Sequence, residues 1–369
     1  MKRIAILTSG GDAPGMNAAV RAATLIGRAL GADVLGVERG YRGMLDDAFV
    51  DLGPHDVAGI LREGGTILGS ARCKEFHEKD VRDRARAILS KREVDGLVVV
   101  GGNGSLTGAL HLADPKEIAG GRPLKVIGVP ASIDNDLGMT GLSIGVDTAM
   151  NTIVEACDKI ADTATAHDRT FIVEVMGRDC GYLAMTSAIA VGADLALFPE
   201  AGKPEAEIVE QIVETVLSIR ARQRRARKVI IIKAEGVNLA VDKLKTMVDA
   251  RLHERVPDAE PATIETRVTV LGHVVRGGRP SAFDRLLGSR LANVAVRALM
   301  TGQSHKMAAW MPPVELPEEV GTRSPYDPYC WLVDLAAVLA ETDNLLKGRS
   351  PLARWRAGAF DEIEDALLL

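Results

Sequence analysis

The sequence predicts a doubly wound α/β protein organised as two lobes. Three observations carry that prediction. Short apolar runs of the kind buried on both faces of a parallel sheet recur along the chain. Several of these runs end in glycine-rich loops. Those loops lead in turn into helical patterns, the alternation that winds helices around a parallel sheet. The 369 residues suffice for two lobes with separate cores.

The elements follow in order. Residues 4–8 form the first run, ahead of Ser9-Gly-Gly-Asp-Ala-Pro-Gly-Met-Asn17 and a helical pattern over 18–30. Residues 97–100 enter Gly101-Gly-Asn-Gly-Ser105 and a helical pattern over 106–112. Residues 124–129 end at Ser132-Ile-Asp-Asn-Asp136. Residues 171–175 enter Met176-Gly-Arg-Asp-Cys-Gly181, and residues 229–232 lead to Lys233-Ala-Glu-Gly236. Residues 268–271 lead to Gly272-His-Val-Val-Arg-Gly-Gly278. Residues 205–227 read as one amphipathic helix, with Ile208, Ile212, Val216 and Ile219 on one stripe. It ends in Arg220, Arg222, Arg224, Arg225 and Arg227, a solvated cationic face suited to a helix C-terminus. Pro312-Pro313, Pro317, Pro325 and Pro328 then precede a helical stretch expected from Trp331. No low-complexity linker divides the chain.

Composition excludes several function classes. A formal net charge of -5 gives no electrostatic footprint for nucleic acid. The basic start Met1-Lys-Arg is followed by too short an apolar stretch for a signal peptide and reads as a strand. No run of about eighteen apolar residues exists, so no membrane span is expected. Cys73, Cys157, Cys180 and Cys330 are scattered without zinc or redox spacing. Reduced thiols and a cytoplasmic location follow as expectations.

Chemistry is expected at the strand ends. In open α/β sheets the ligand crevice lies beyond the carboxyl ends of the strands. Asp134 and Asp136 stand two apart after the run at 124–129, and on an extended segment such positions face the same side. One carboxylate could accept a proton while the other holds a metal; the alternative is an acidic solvated turn. The loops at Gly10-Gly11 and at Gly101 to Ser105 put small residues between a strand and a helix, where backbone N–H groups approach a phosphate closely. No G-x-x-x-x-G-K-[ST] sequence occurs, which excludes a P-loop NTPase. Thr107 stands where a dinucleotide fingerprint needs glycine, which argues against a Rossmann dehydrogenase. Arg72, Arg169, Arg178, Arg267, His273 and Arg276, read as strand-end residues, complete a phosphate-handling set.

These residues carry a family resemblance. Gly10-Gly-Asp-Ala-Pro-Gly-Met-Asn-Ala-Ala-Val-Arg21, Gly69-Ser-Ala-Arg72, Ser132-Ile-Asp-Asn-Asp136, Glu174-Val-Met-Gly-Arg178 and Gly272-His-Val-Val-Arg-Gly-Gly278 occur in that order. Together they resemble the 6-phosphofructokinase family from the N-terminus to about residue 300. The resemblance implies two α/β lobes with the active site in the cleft between them. Residues 1–145 with 275–325 would form the nucleotide lobe, 146–274 the sugar-phosphate lobe, and 326–369 a C-terminal capping segment. It implies phosphoryl transfer from ATP to the C1 hydroxyl of fructose 6-phosphate.

Carried over by position, Asp134 would be the general base, Arg178 would stabilise the transferring phosphoryl, and Ser132 would lie beside them. Gly11, Arg72, Cys73, Gly102, Asn103, Gly104 and Ser105 would bind the nucleotide. Ser132, Ile133, Asp134, Arg169, Met176, Gly177, Arg178, Glu235, Arg267, His273, Val274, Val275 and Arg276 would contact the sugar phosphate. Asn103 and Asp136 would hold Mg2+. A homodimer or homotetramer with shared active sites is implied, without nucleic-acid or membrane partners. Phosphoryl transfer needs mostly positioning, charge neutralisation and one base, which this set supplies.

The chain departs from the family pattern in three respects. Asn103 replaces a metal-binding aspartate and lacks the charge a hard cation prefers. Cys73 replaces an aromatic near the adenine. Leu25, Pro54 and Ala161 replace arginines of the bacterial effector site, although Arg21 is kept. Two other readings stay open. A diphosphate-dependent enzyme would carry aspartate at Gly104 and lysine at Ala131, and could act on another acceptor such as sedoheptulose 7-phosphate. A catalytically weak sugar-phosphate-binding paralogue would rest on Asn103.

Overall fold

The computed structural model describes residues 1–116, 124–221, 228–258, 264–312 and 316–367. It comprises two compact units, Met1–Thr148 with Arg276–Asn344 and Ala149–Val275 with Leu345–Leu369. Both are α/β, as the alternation of apolar runs and helical patterns predicts.

In the first unit the chain runs through β1 (Arg3–Ser9), α1 (Met16–Ala29), β2 (Asp33–Val37), α2 (Gly40–Leu45) and β3 (Phe49–Asp51). It continues through α3 (Lys79–Lys91), β4 (Gly96–Gly101), α4 (Asn103–Ala113) and β5 (Lys125–Pro130), and enters α5 (Val146–Ala166). The second unit adds β6 (Thr170–Val175), α6 (Tyr182–Val191), β7 (Leu195–Leu197), α7 (Glu205–Ala221), β8 (Val229–Ala234), α8 (Val241–Arg255) and β9 (Thr266–Val270). The first unit is then completed by α9 (Ala282–Met300), β10 (Lys306–Trp310), β11 (Gly321–Arg323) and β12 (Cys330–Asp334), followed by α10 (Leu335–Leu346) and α11 (Pro351–Leu367).

The first unit holds an eight-stranded sheet in the order β11-β12-β10-β5-β4-β1-β2-β3. Its centre is parallel, and β3, β11 and β12 pair antiparallel towards the two edges. Leu97, Val98, Val99 and Val100 of β4 are all fully buried, because helices cover both faces of a parallel sheet. That is why β4 reads as an unbroken apolar run. Fully burying each such side chain contributes about 1.5–3 kcal/mol. The second unit holds a four-stranded parallel sheet in the order β7-β8-β6-β9.

The helical stretch expected from Trp331 starts later. Cys330, Trp331, Leu332 and Val333 are buried in β12, antiparallel to both β10 and β11, and helix begins at Leu335. A short apolar run cannot distinguish a buried strand from a buried helix by periodicity alone. The helix expected over 205–227 is present as α7 to Ala221; Arg222, Arg224, Arg225 and Arg227 lie outside the described residues, as does Pro313. Among the described residues no helix is long and apolar enough to cross a membrane.

Candidate active site

In the first sheet the chain moves from β1 outward to β2, then returns to place β4 on the other side of β1. This reversal opens a crevice at the carboxyl ends of β1 and β4. A cavity of about 410 Å³ lies there. Gly11, Arg72, Cys73, Gly102, Asn103, Gly104, Ser105, Ser132, Asp134, Asp136 and Arg276 all line it. Residues from five separate stretches of sequence thus meet at one place.

The two carboxylates share the cavity for a different reason from the one their spacing suggests. Residues 132–136 turn rather than run extended. The Asn135 N–H donates to the Ser132 carbonyl at 3.3 Å, and Asn135 takes a left-handed φ of 50°. Asparagine tolerates that conformation because its short amide bonds locally. Here the buried Asn135 Nδ2 donates to the Gly141 carbonyl at 3.0 Å, and its Oδ1 accepts from the Ser143 N–H at 3.0 Å. Ser132 Oγ donates to Asp136 Oδ1 at 2.6 Å, fixing one metal-candidate carboxylate. The Ile133 side chain is fully buried, which leaves only its backbone for a ligand.

The phosphate loop is built from close backbone approach. A β-carbon on Gly101 would lie 2.5 Å from the Ser9 carbonyl oxygen, so only glycine fits where β4 leaves β1. Helix α4 then starts at Asn103 with no side-chain cap and no acidic residue in its first turn. Its leading N–H groups and the positive end of its dipole are therefore available to an anion. Around Gly104 an added β-carbon would meet nothing within 4 Å, so there is room in front of the helix. Arg276 lies against the opposite loop: its Nη1 would be 2.8 Å from a β-carbon on Gly11, and it donates to the Asp12 carbonyl at 3.4 Å. A residue assigned to the sugar phosphate thus faces the glycine loop of β1.

Several lining residues escaped the sequence reading. Tyr41 and Phe76 stack with centroids 4.0 Å apart and form an aromatic wall. The Tyr41 hydroxyl donates to the Ser105 carbonyl at 2.6 Å, and burial pushes its ionisation well above the ordinary range. Lys74, His77 and His111 line the same cavity. None belongs to a recognised motif: Tyr41 comes from α2, Lys74, Phe76 and His77 from one short turn of helix before α3, and His111 from α4. The aromatic pair supplies apolar surface beside Cys73, whose thiol is pushed up by burial and by the Glu75 carboxylate.

In the second unit, Met176, Gly177 and Arg178 follow β6, Glu235 follows β8, and His273 and Val274 follow β9. Arg178, Glu235 and His273 are exposed at those carboxyl ends, while Val275 is buried. Arg169 and Arg267 are placed differently from the strand-end positions expected of them. Arg169 precedes the first residue of β6, and Arg267 is the second residue of β9, paired with Phe171. Both sit at the amino ends of their strands, because β9 starts two residues before the apolar run that marks it. At about 3.3 Å per residue, Arg169 and Met176 lie roughly 20 Å apart along the sheet. Arg267 forms an ion pair with Glu265 at 2.6 Å. Among the described residues no group of three or more His, Cys, Asp or Glu side chains is placed to hold a metal.

The sequence matches the family described as Phosphofructokinase over residues 3–299. The chain belongs to the phosphofructokinase family. Curated relatives include the ATP-dependent 6-phosphofructokinase of Thermotoga neapolitana, 45% identical over 311 residues, which are 84% of this chain and 90% of that protein. The protein of the same name from Clostridium acetobutylicum is 44% identical over 307 residues, 83% of this chain and 89% of its own. Among solved structures, Pichia pastoris phosphofructokinase in the T-state superposes with a TM-score of 0.84 at 33% identity over 99% of this chain, which spans 39% of the Pichia chain. A pyrophosphate-dependent phosphofructokinase from Marinobacter aquaeolei has a TM-score of 0.75 at 20% identity over 92% of this chain and 84% of its own, and shares the fold.

Proposed function

We propose that the chain transfers the γ-phosphoryl group of ATP to the C1 hydroxyl of fructose 6-phosphate, giving fructose 1,6-bisphosphate in cytoplasmic glycolysis. The observation that carries this reading is one cavity lined by the Asp134 carboxylate, the uncapped start of α4 and the arginines Arg72 and Arg276. ATP as donor is supported by the empty space at Gly104 and the small, buried Ala131, where a diphosphate-dependent relative would place bulk. The ATP-dependent relatives at 45% and 44% identity point the same way.

In this reading Asp134 accepts the C1 hydroxyl proton as the oxygen attacks phosphorus. The first N–H groups of α4, with those of the Gly10-Gly11 loop and the Arg72 and Arg276 guanidiniums, balance the phosphate charge. The Tyr41–Phe76 wall borders the adenine ring of ATP. Arg178 stabilises charge on the transferring group, and Met176, Gly177, Glu235, His273, Val274 and Val275 bind the sugar. Asp136, oriented by Ser132, and the Asn103 amide oxygen fit a hard divalent cation, because both offer oxygen donors to the cavity. Magnesium held there would neutralise phosphate charge.

We further propose that Arg169 and Arg267 serve the 6-phosphate in another copy of the chain, in a homodimer or homotetramer. Their position at the amino ends of the sheet, remote from Met176 along the strands, supports that assignment.

A coupled assay tests the base. Asp134→Asn should keep the far-ultraviolet dichroism and lose about 10²–10⁴-fold in kcat, the usual worth of a general base. A loss below tenfold would mean that the proton goes elsewhere.

A further inference from the structure

Strand β8 carries one residue that its surroundings do not explain. In Val229–Ala234 every side chain is buried, and all are small or aliphatic except Lys233, which is 1% exposed. Lys233 is the register partner of Glu174 on β6. Its Nζ donates to Glu174 Oε2 at 2.8 Å and to the Ala234 carbonyl at 3.2 Å. The Glu174 side chain is 17% exposed, so the pair lies largely out of water.

A buried ion pair is a weak source of net stability. Its desolvation cost offsets most of the attraction, and a volume-matched apolar pair is often as stable. A pair of aliphatic side chains at these two positions would have packed as well. What the pair adds is directional fixation where two loops begin. The carbonyls just beyond it are already interlocked: the Glu235 N–H donates to Val175 O at 2.8 Å and the Gly236 N–H to Gly177 O at 3.0 Å. A β-carbon on Gly236 would lie 1.9 Å from the Arg178 carbonyl oxygen, so the two loops pass with no room to shift. Lys233 ties the Glu174 carboxylate, two residues before Met176, to the Ala234 carbonyl, one residue before Glu235.

We infer that Lys233 is a positioning residue for the sugar phosphate: through Glu174 and the Ala234 carbonyl it holds Met176-Gly177-Arg178 and Glu235 in register with each other. This rests on the assignment of those residues to fructose 6-phosphate. Lys233 itself does not touch the ligand. Its loss leaves the groups present but misplaced, and raises the dissociation constant for the sugar phosphate without changing that for ATP.

The test is titration calorimetry of the full chain with fructose 6-phosphate and, separately, ATP, alongside thermal denaturation. Lys233→Met should lower Tm, because the Glu174 charge loses its partner. The double variant Lys233→Met with Glu174→Leu should recover Tm close to wild type, yet keep a fructose 6-phosphate Kd raised about tenfold, equivalent to about 1.4 kcal/mol, with ATP affinity unchanged. If the double variant regains both Tm and sugar-phosphate affinity, the pair is packing alone and the inference is overturned. The same holds if Lys233→Met binds fructose 6-phosphate as the wild type does. If the wild type binds ATP but no fructose 6-phosphate, the substrate assignment fails, and this inference fails with it.

Discussion

At the scale of single residues, Asn103 gives the cavity a neutral amide at one of its two proposed cation positions. Asparagine offers a carbonyl oxygen where a carboxylate would offer charge, and a hard cation favours the charge. On the proposed reading, Asp136 and the nucleotide phosphates would carry more of the metal. The wild type should need high magnesium for half-maximal rate, and Asn103→Asp should lower that concentration while leaving the fold intact, since the two side chains are nearly isosteric. Initial rates across a magnesium series check this. An unchanged requirement in an active Asn103→Asp enzyme would remove that side chain from the metal's surroundings. Most residues of the first unit's cavity were legible from motifs alone, because glycine loops and the Asp134-Asn-Asp136 segment are local in sequence. Tyr41 and Phe76 were not, because their pairing is made by tertiary packing between α2 and the loop before α3.

At the scale of elements, one buried carboxylate organises the frame around the site. Asp284, fully buried in the first turn of α9, accepts from the Gly145 N–H at 2.7 Å, the Thr148 N–H at 2.8 Å and the Thr148 hydroxyl at 2.5 Å. It thereby caps the start of α5 from a different helix. Asp284→Ala would leave buried donors without an acceptor and should cost about 2–4 kcal/mol, measured by urea unfolding. Burial, opposed by these hydrogen bonds, holds the Asp284 carboxyl above its ordinary value. A folded value above the unfolded one means the group stabilises most below about pH 3.9 and less as pH rises through the folded value. The gap between wild type and Asp284→Ala should therefore narrow as pH rises above about 4. A gap that widens with pH would mean the carboxylate is held ionised. The signal for this cap was absent from the sequence, since 136 residues separate Asp284 from Thr148. The strand β12 was misread for a related reason: its partner strands, not its own periodicity, decide its conformation.

At the scale of the whole molecule, the doubly wound architecture was legible because parallel strands buried on both faces leave unbroken apolar runs. What stayed hidden was which end of a strand a residue occupies. Arg267 reads as a strand-end residue, yet it belongs to the amino end of β9. That placement underlies the proposal of shared sites. Mixing inactive Asp134→Asn protein with inactive Arg267→Ala protein should restore partial activity once subunits exchange. No recovery in proven hetero-oligomers would assign Arg267 to its own chain or to structure. The central claim concerns donor and acceptor together, and one measurement reaches it most directly. Product formation from fructose 6-phosphate, followed by phosphorus NMR with ATP or diphosphate at saturating levels, should give fructose 1,6-bisphosphate with ADP from ATP, and turn over faster with ATP than with diphosphate, which would release inorganic phosphate. Faster turnover with diphosphate, or no product with either donor, would contradict the reading of the open space at Gly104 as room for a nucleotide.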